Sequence, residues 1–197
     1  MAGRSRAVVS GFCRSPTPTA IESSSPESEA RGLVNPTTDT IRLSTEIARP
    51  RGDVWAAFAD TEARQQWSAP ASERLVYDRD DFRTGGSAQY RCGSPEALEF
   101  SAAIDYIHVE EEEFAVHTDT VWHGNELLAT GMITWSFADV PAGTSVTIVN
   151  QVVSFVGGDM IDGSRNGHRI ALEQLGAFLT GPGQVGSSTT DGDGRST

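Results

Sequence analysis

The strongest helical signal in the chain lies near its C-terminal end, in the stretch DMIDGSRNGHRIALEQLGAFLT, residues 159–180. Side chains suited to burial recur there three and four residues apart, which places them on one helical face: His168, Ala171, Leu172, Leu175, Phe178 and Leu179. Asp159 has the chemistry of an N-cap, Asp162 is expected at position N3, and Gly181 followed by Pro182 is a stop signal. The stretch therefore predicts one helix of about 20 residues with an apolar stripe to bury.

Strand patterns precede this helix. Residues 41–47 alternate apolar and polar side chains, which predicts a half-buried first strand. Two short helices are predicted next, one opening after Pro50 and one ending at Trp67. Alternation and turn residues then predict six further strands, at about 73–79, 86–92, 98–108, 113–121, 127–138 and 144–155.

This order of elements predicts an α+β fold. A curved, mostly antiparallel sheet of about seven strands would wrap around the long C-terminal helix, with the two short helices after strand 1. One face of the sheet and the helix stripe would cover each other. Because a strongly curved sheet leaves a gap beside the helix, we expect an apolar cavity there, which is the default site for a ligand.

The ends of the chain lack such patterns. Residues 1–38 are rich in Ser, Thr, Pro, Gly and Arg, and residues 181–197 in Gly, Ser, Thr and Asp. Segments of this composition bury too little apolar surface to offset their ordering entropy, so we expect disordered tails around one ligand-binding domain, residues 39–180. Val34 precedes the first strand, and we hypothesise that residues 1–33 are an artefact of start-site assignment.

Charge and composition exclude several classes of function. The 197 residues contain 15 Lys+Arg against 27 Asp+Glu, a net charge of −12, and every one of these cations is Arg. The acidic excess argues against a nucleic-acid partner and a polybasic membrane anchor, and the absence of Lys rules out Schiff-base chemistry. No apolar run approaches the ~18 residues of a membrane span, so we expect a cytoplasmic protein.

The metal-ligating and nucleophilic residue types form no recognisable motif. Cys13 and Cys92 are too few for a disulfide framework, and we expect both to be free thiols. The four His residues occur without an HExxH motif or a regular His pair. We therefore expect no metal and no cofactor, and we assign no catalytic residue.

Several short motifs occur in a characteristic order: ARPRGDVW at 48–55, QW at 66–67, GG at 85–86, GTSVT at 143–147 and RNGH at 165–168. With them, residues 40–180 resemble the START-like, helix-grip proteins called the SRPBCC superfamily. Within it they are similar to the bacterial relatives of the activator of the heat-shock-protein-90 ATPase. The resemblance implies the helix-grip fold, in which Trp67 lies beside the cavity mouth. Ser68 departs from the family pattern, where an aromatic residue often follows this Trp.

Aromatic and polar side chains of the strands and the long helix are the candidates for lining the cavity: Trp67, Tyr90, Tyr106, His117, Trp122, Trp135, Asn150 and His168. If the hairpin turning at residues 141–143 pairs positions that sum to 283, Asn150 lies on the apolar side with Trp135. Asn150 then either orients a ligand or bonds the backbone. His117 and His168 are each either cavity residues, with an acid–base role open to His117, or structural ones.

These observations favour a binding module for a small hydrophobic or aromatic molecule over an enzyme. The superfamily resemblance leaves two alternatives open. The first is an enzyme of the polyketide cyclase/aromatase kind, and the second is a co-chaperone-like module that binds a protein partner or a second copy of the chain. Fold does not choose among them.

Overall fold

The computed structural model describes residues 35–181. The elements follow in the order β1 (Thr37–Ile47), α1 (Arg51–Ala59), α2 (Thr61–Trp67), β2 (Arg74–Asp80), β3 (Ser87–Ser94), β4 (Ala97–Glu110), β5 (Phe114–His123), β6 (Glu126–Val140), β7 (Gly143–Ser154) and α3 (Gly158–Thr180). The predicted number, type and order of elements within the domain are confirmed.

The seven strands form one antiparallel, curved sheet in the order β1-β7-β6-β5-β4-β3-β2. Strands β1 and β2 are neighbours along the chain but lie at opposite edges of the sheet. The helices α1 and α2 connect those two edges. Both helices pack against α3, and they also contact β2, β6 and β7.

The inner face can be traced residue by residue along β6 and β7. Val140 pairs with Gly143 and Ile133 pairs with Asn150, which is the predicted register. Every second residue of β7 from Thr144 to Ser154 is buried, as a strand with one covered face requires. The prediction that Asn150 lies on the apolar side is confirmed, with an exposed fraction of 2%.

The apolar stripe of α3 packs against β1, β7 and both short helices. Leu175 is fully buried at its centre. The helix ends as predicted, because the Gly181 N–H donates to the Ala177 carbonyl at 2.8 Å. It begins earlier than predicted: Gly157 is the N-cap, at φ 100°, and Asp159 lies inside the first turn, where its charge favours the helix N-terminus.

Three further expectations from the sequence concern the tails, the state of Cys92 and membrane-spanning helices. The predicted tails lie largely outside the described residues, although β1 begins at Thr37, inside the segment expected to be a tail. Cys92 is buried and disulfide-bonded, so the expectation of a free thiol at that position is wrong. Within residues 35–181, none of the helices combines the length and apolarity needed to span a bilayer.

Replacing Leu175 by Ala tests how strongly the fold depends on the helix stripe. Loss of a fully buried leucine side chain leaves a cavity, and we expect the free energy of unfolding to fall by about 2–5 kcal/mol. Leu127→Ala is the matched control, since Leu127 is 36% exposed. Urea denaturation of both variants measures the difference. Equal effects of the two substitutions would show that α3 does not support the core.

Candidate functional site

A cavity lies between the inner face of the sheet, α2 and α3, where the two apolar core clusters of the domain meet. Its volume is about 90 Å³. Seven aromatic side chains line it: Phe58, Trp67, Tyr77, Phe82, Tyr90, Tyr106 and Trp135. We call this space the aromatic cavity. Its least buried lining residues, Ser68, Tyr77 and Phe82, mark the side on which it approaches the surface.

The wall beside α2 is a rigid aromatic cluster. The indole N–H of Trp67 donates to the Ala57 carbonyl at 3.1 Å, which satisfies the polar atom of an otherwise apolar ring. The Trp67 and Trp135 rings meet edge to face with centroids 6.0 Å apart, and Phe58 lies 5.0 Å from Trp135. Because each ring is fixed by the others, this wall is preformed.

A buried ion pair joins α2 to the end of β2. The Arg64 guanidinium donates to Asp80 Oδ2, and both side chains are almost wholly buried. Asp80 also accepts from the Tyr106 hydroxyl at 2.8 Å and from Thr61 Oγ1 at 2.6 Å. Arg64 donates further to the Phe58 carbonyl at 2.7 Å. A buried pair is tolerated only with such additional hydrogen bonds, and the two charges of this one cancel.

Arg64 also contributes its flat face to the aromatic cavity. Its guanidinium carbon lies 4.7 Å from the Phe82 ring centroid and 5.3 Å from that of Tyr77. These are cation–π distances, so the rings hold the guanidinium where the ion pair needs it. Its Nε–H has no hydrogen-bond partner within the described residues. That N–H is a donor still free to meet a ligand oxygen.

Asp119 is a second buried carboxyl group, on the inner face of β5. Its Oδ2 accepts from the Tyr90 hydroxyl at 3.0 Å, whereas its Oδ1 has no partner within residues 35–181. Burial raises the pKa of Asp119 from 3.8 to about 7, and the Tyr90 hydrogen bond opposes part of this change. The carboxyl group therefore changes protonation near neutral pH.

The two buried histidines are neutral. His117 lies two residues before Asp119 on the same face of β5, and burial lowers its pKa to about 4. His168 extends from α3, and burial lowers its pKa to about 3. Both line the aromatic cavity, as the sequence predicts. His117 Nδ1 lies 3.3 Å from the backbone carbonyl of the next residue, Thr118. His117 is therefore directed to the backbone and does not form an acid–base pair with Asp119.

Asn150 lies behind the aromatic cavity and does not line it. Its Nδ2 donates to His168 Nε2 at 2.9 Å and approaches Ser164 Oγ at 3.4 Å. Asn150 lines a separate space of about 20 Å³, which we call the polar chamber, bounded also by Asp119, Gly131 and Ser164 among others. The expectation that Asn150 lines the main cavity is therefore corrected: it positions His168 and borders the chamber.

Trp122 is the predicted site residue that the structure places elsewhere. Alternation along β5 directs His117, Asp119 and Val121 inward, so Trp122 is on the outer face and is not part of the cavity lining. The other six predicted side chains converge on the aromatic cavity: Trp67, Tyr90, Tyr106, His117, Trp135 and His168.

Sequence reasoning missed Arg64, Asp80 and Asp119. The predicted second strand, at about 73–79, stops one residue short of Asp80, which is the last residue of β2. The alternation along β5 could have identified Asp119, because it is separated from His117 and from Val121 by one residue and so lies on the same face of the strand. Arg64 had a weaker one: it lies three residues before Trp67, on the same side of α2.

Residues 48–180 match the family model described as "Activator of Hsp90 ATPase homolog 1-like protein". The chain belongs to this family. The match covers more than half of the sequence and nearly all of the described domain, and it confirms the resemblance to the SRPBCC superfamily. Membership of this family identifies the kind of domain, but it does not identify a ligand. Among curated proteins, none matches the chain.

Solved structures share the fold. A putative uncharacterised protein from Rhizobium leguminosarum is 23% identical, with a TM-score of 0.64, over 74% of this chain and 96% of that one. The Mll3558 protein from Rhizobium loti is 22% identical, with a TM-score of 0.66, over 73% and 99%. DynU16, a putative protein in the dynemicin biosynthetic locus, is 18% identical, with a TM-score of 0.55, over 72% and 47%.

The raised pKa of Asp119 predicts a pH-dependent stability difference. Between pH 4 and 7 the folded protein holds a proton that the unfolded chain releases, so this group lowers the free energy of unfolding as pH rises. Asp119→Asn removes that contribution. We expect the free energy of unfolding of the variant, relative to that of the wild type, to increase by a few kcal/mol between pH 5 and pH 8, as measured by urea denaturation.

Asp105→Asn is the control, because Asp105 is exposed on β4. A difference between Asp119→Asn and wild type that does not change with pH would contradict the assignment.

The Arg64–Asp80 pair predicts a large effect of losing one partner. Arg64→Gln leaves the Asp80 carboxylate buried without its cation, and we expect a loss of about 3–5 kcal/mol in the free energy of unfolding. Arg91→Gln breaks the exposed pair that Arg91 of β3 makes with Asp78, which lies on β2 with Asp80, and we expect a much smaller loss. Similar losses in the two variants, by urea denaturation, would show that the buried pair has no special weight.

Proposed function

We propose that the domain binds a small hydrophobic or aromatic molecule in the aromatic cavity, between the sheet and α3, without transforming it. The observation that supports this is a preformed space lined by seven aromatic rings with few unpartnered polar atoms. Rings supply affinity through desolvation and stacking, and a few polar groups fix orientation. Arg64 Nε and Asp119 Oδ1 are the unpartnered polar atoms whose side chains line this cavity.

The cavity volume limits the ligand. About 90 Å³ is well below the ~300–1,000 Å³ of sites for drug-sized molecules and nearer to the ~150 Å³ of an engineered cavity that binds benzene. We therefore propose a ligand with a single ring, whose substituents extend past Ser68, Tyr77 and Phe82. Ser68 occupies a position at which a larger side chain would narrow this side of the cavity.

Filling the cavity tests the proposal. Ala171 lines the cavity on α3, and Ala171→Phe should lower the affinity for ethylbenzene by at least about tenfold, measured by isothermal titration calorimetry. Ala177→Phe, on an exposed position of the same helix, is the matched control and should bind as the wild type does. Native mass spectrometry of freshly purified protein additionally reports any ligand that co-purifies.

Ser68→Phe provides a second variant if Ala171→Phe does not fold. The proposal fails if the wild type shows no binding, or if both cavity variants bind like the Ala177→Phe control. Bound ligand should also raise the free energy of unfolding, by roughly 2.7 kcal/mol when the free ligand is at a hundredfold excess over the dissociation constant.

A cyclase/aromatase-like enzyme is the second candidate, and the observation that favours it is Asp119. A carboxyl group with its pKa near 7 in a ligand cavity is suited to general acid–base work. Chemical analysis of the ligand recovered after incubation separates the two candidates, because a binding module returns it unchanged. A protein partner, a homodimer and a cytoplasmic location stay predictions.

A further inference from the structure

The polar chamber has an unusual hydrogen-bonding inventory. Asp119 and Asn150 both line it, and both side chains are at least nine-tenths buried. Neither Asp119 Oδ1 nor Asn150 Oδ1 has a partner within residues 35–181. Asn150 Oδ1 is an acceptor, and Asp119 Oδ1 is one when the carboxyl group is ionised. A buried acceptor without a donor costs about 1–3 kcal/mol, so the chamber is arranged to receive a group that donates hydrogen bonds.

Gly131 makes room for this arrangement. A Cβ atom at this position of β6 would collide with Asn150 Oδ1. Asn150 Nδ2 is engaged by His168, and its oxygen lies against Gly131, which bounds the chamber. A glycine inside a strand weakens the strand and marks a close approach, here that of the amide oxygen.

The charge of Asp119 also lacks a counterpart. None of the ion pairs in the described part of the chain involves Asp119, and Arg64 is committed to Asp80 and to the Phe58 carbonyl. His117 and His168 are neutral, because burial lowers the pKa of each. An ionised Asp119 therefore needs a cation from outside the protein, and the net charge of −12 raises the local concentration of cations.

We infer that the polar chamber receives the ammonium group of a primary amine whose apolar body occupies the aromatic cavity. An ammonium group has three donors and no acceptor, which matches two acceptors with no donor. The chamber's volume of about 20 Å³ suits one group the size of a water molecule, and the chamber adjoins the aromatic cavity at Asp119 and Ile133. This inference rests on the proposed function, since the same cavity must bind the apolar body.

The test compares 2-phenylethylamine with ethylbenzene by isothermal titration calorimetry at pH 8. The wild type should bind the amine at least about tenfold more tightly, because a charge-assisted hydrogen bond is added. Asp119→Asn should abolish this preference, so that the variant binds the amine no more tightly than it binds ethylbenzene. Asp105→Asn removes one exposed acid and should keep the preference, which controls for net charge.

Gly131→Ala is a second variant, in case Asp119→Asn does not fold. It displaces Asn150 Oδ1 and should weaken amine binding more than ethylbenzene binding. If ethylbenzene binds as tightly as the amine to the wild type, the cavity function stands and the amine inference is overturned, with water as the chamber's occupant. If neither compound binds, both proposals fall. If the variants keep the amine preference, the chamber is not the amine site.

A pH series provides a readout that a merely structural role would not change. The titratable or charged side chains that face Asp119 are Tyr77, Tyr90, Tyr106, His117, His168 and the Arg64–Asp80 pair. Burial lowers the pKa of both histidines to about 4 or below and raises the pKa of all three tyrosines. Amine affinity should therefore rise between pH 5.5 and 8 in the wild type as Asp119 ionises, and stay level in Asp119→Asn.

Discussion

The domain depends on mutual covering of one sheet face and one helix. The inner face of the seven-stranded sheet carries alternating apolar residues over most of its width, and α3 with its stripe around Leu175 covers part of it. Neither surface could remain exposed to water, since burial of such side chains is the main favourable term in folding. The sheet is broader than the helix, and α1 and α2 cover more of it. The aromatic cavity is the remaining gap among these elements.

Patterns that depend on neighbours along the chain were predictable. The turn at residues 141–143 determines the β6–β7 register, and with it the inward direction of Asn150. Parity could have corrected one error. His117 and Trp122 lie five positions apart on β5, so both could not face the same cavity unless a bulge intervened between them. The bulge recorded at Trp122 concerns its pairing with β6 and does not turn the ring inward.

Patterns that depend on distant partners were not predictable. Arg64 is buried only because β2 brings Asp80 to α2, and no sequence spacing encodes that meeting. An acidic residue such as Asp119 is ordinarily expected at the surface, since burying an unpaired charge is costly. The carboxyl group of Asp80 is thus fully satisfied by its neighbours, whereas Oδ1 of Asp119 has no partner within residues 35–181. The acidity of the chain as a whole describes its surface and gives no indication of this contrast.

The position of β1 beside β7 has a consequence for how the chain reaches its structure. Thr37 pairs with Ser154, so the first strand to be synthesised must wait for the last one before it gains a partner. Contacts this distant in sequence slow folding, because the chain between them must be ordered first. The hairpins from β2 to β7 can form as they emerge from the ribosome. The cavity, by contrast, is completed only when α3, the last element within residues 35–181, packs on the sheet.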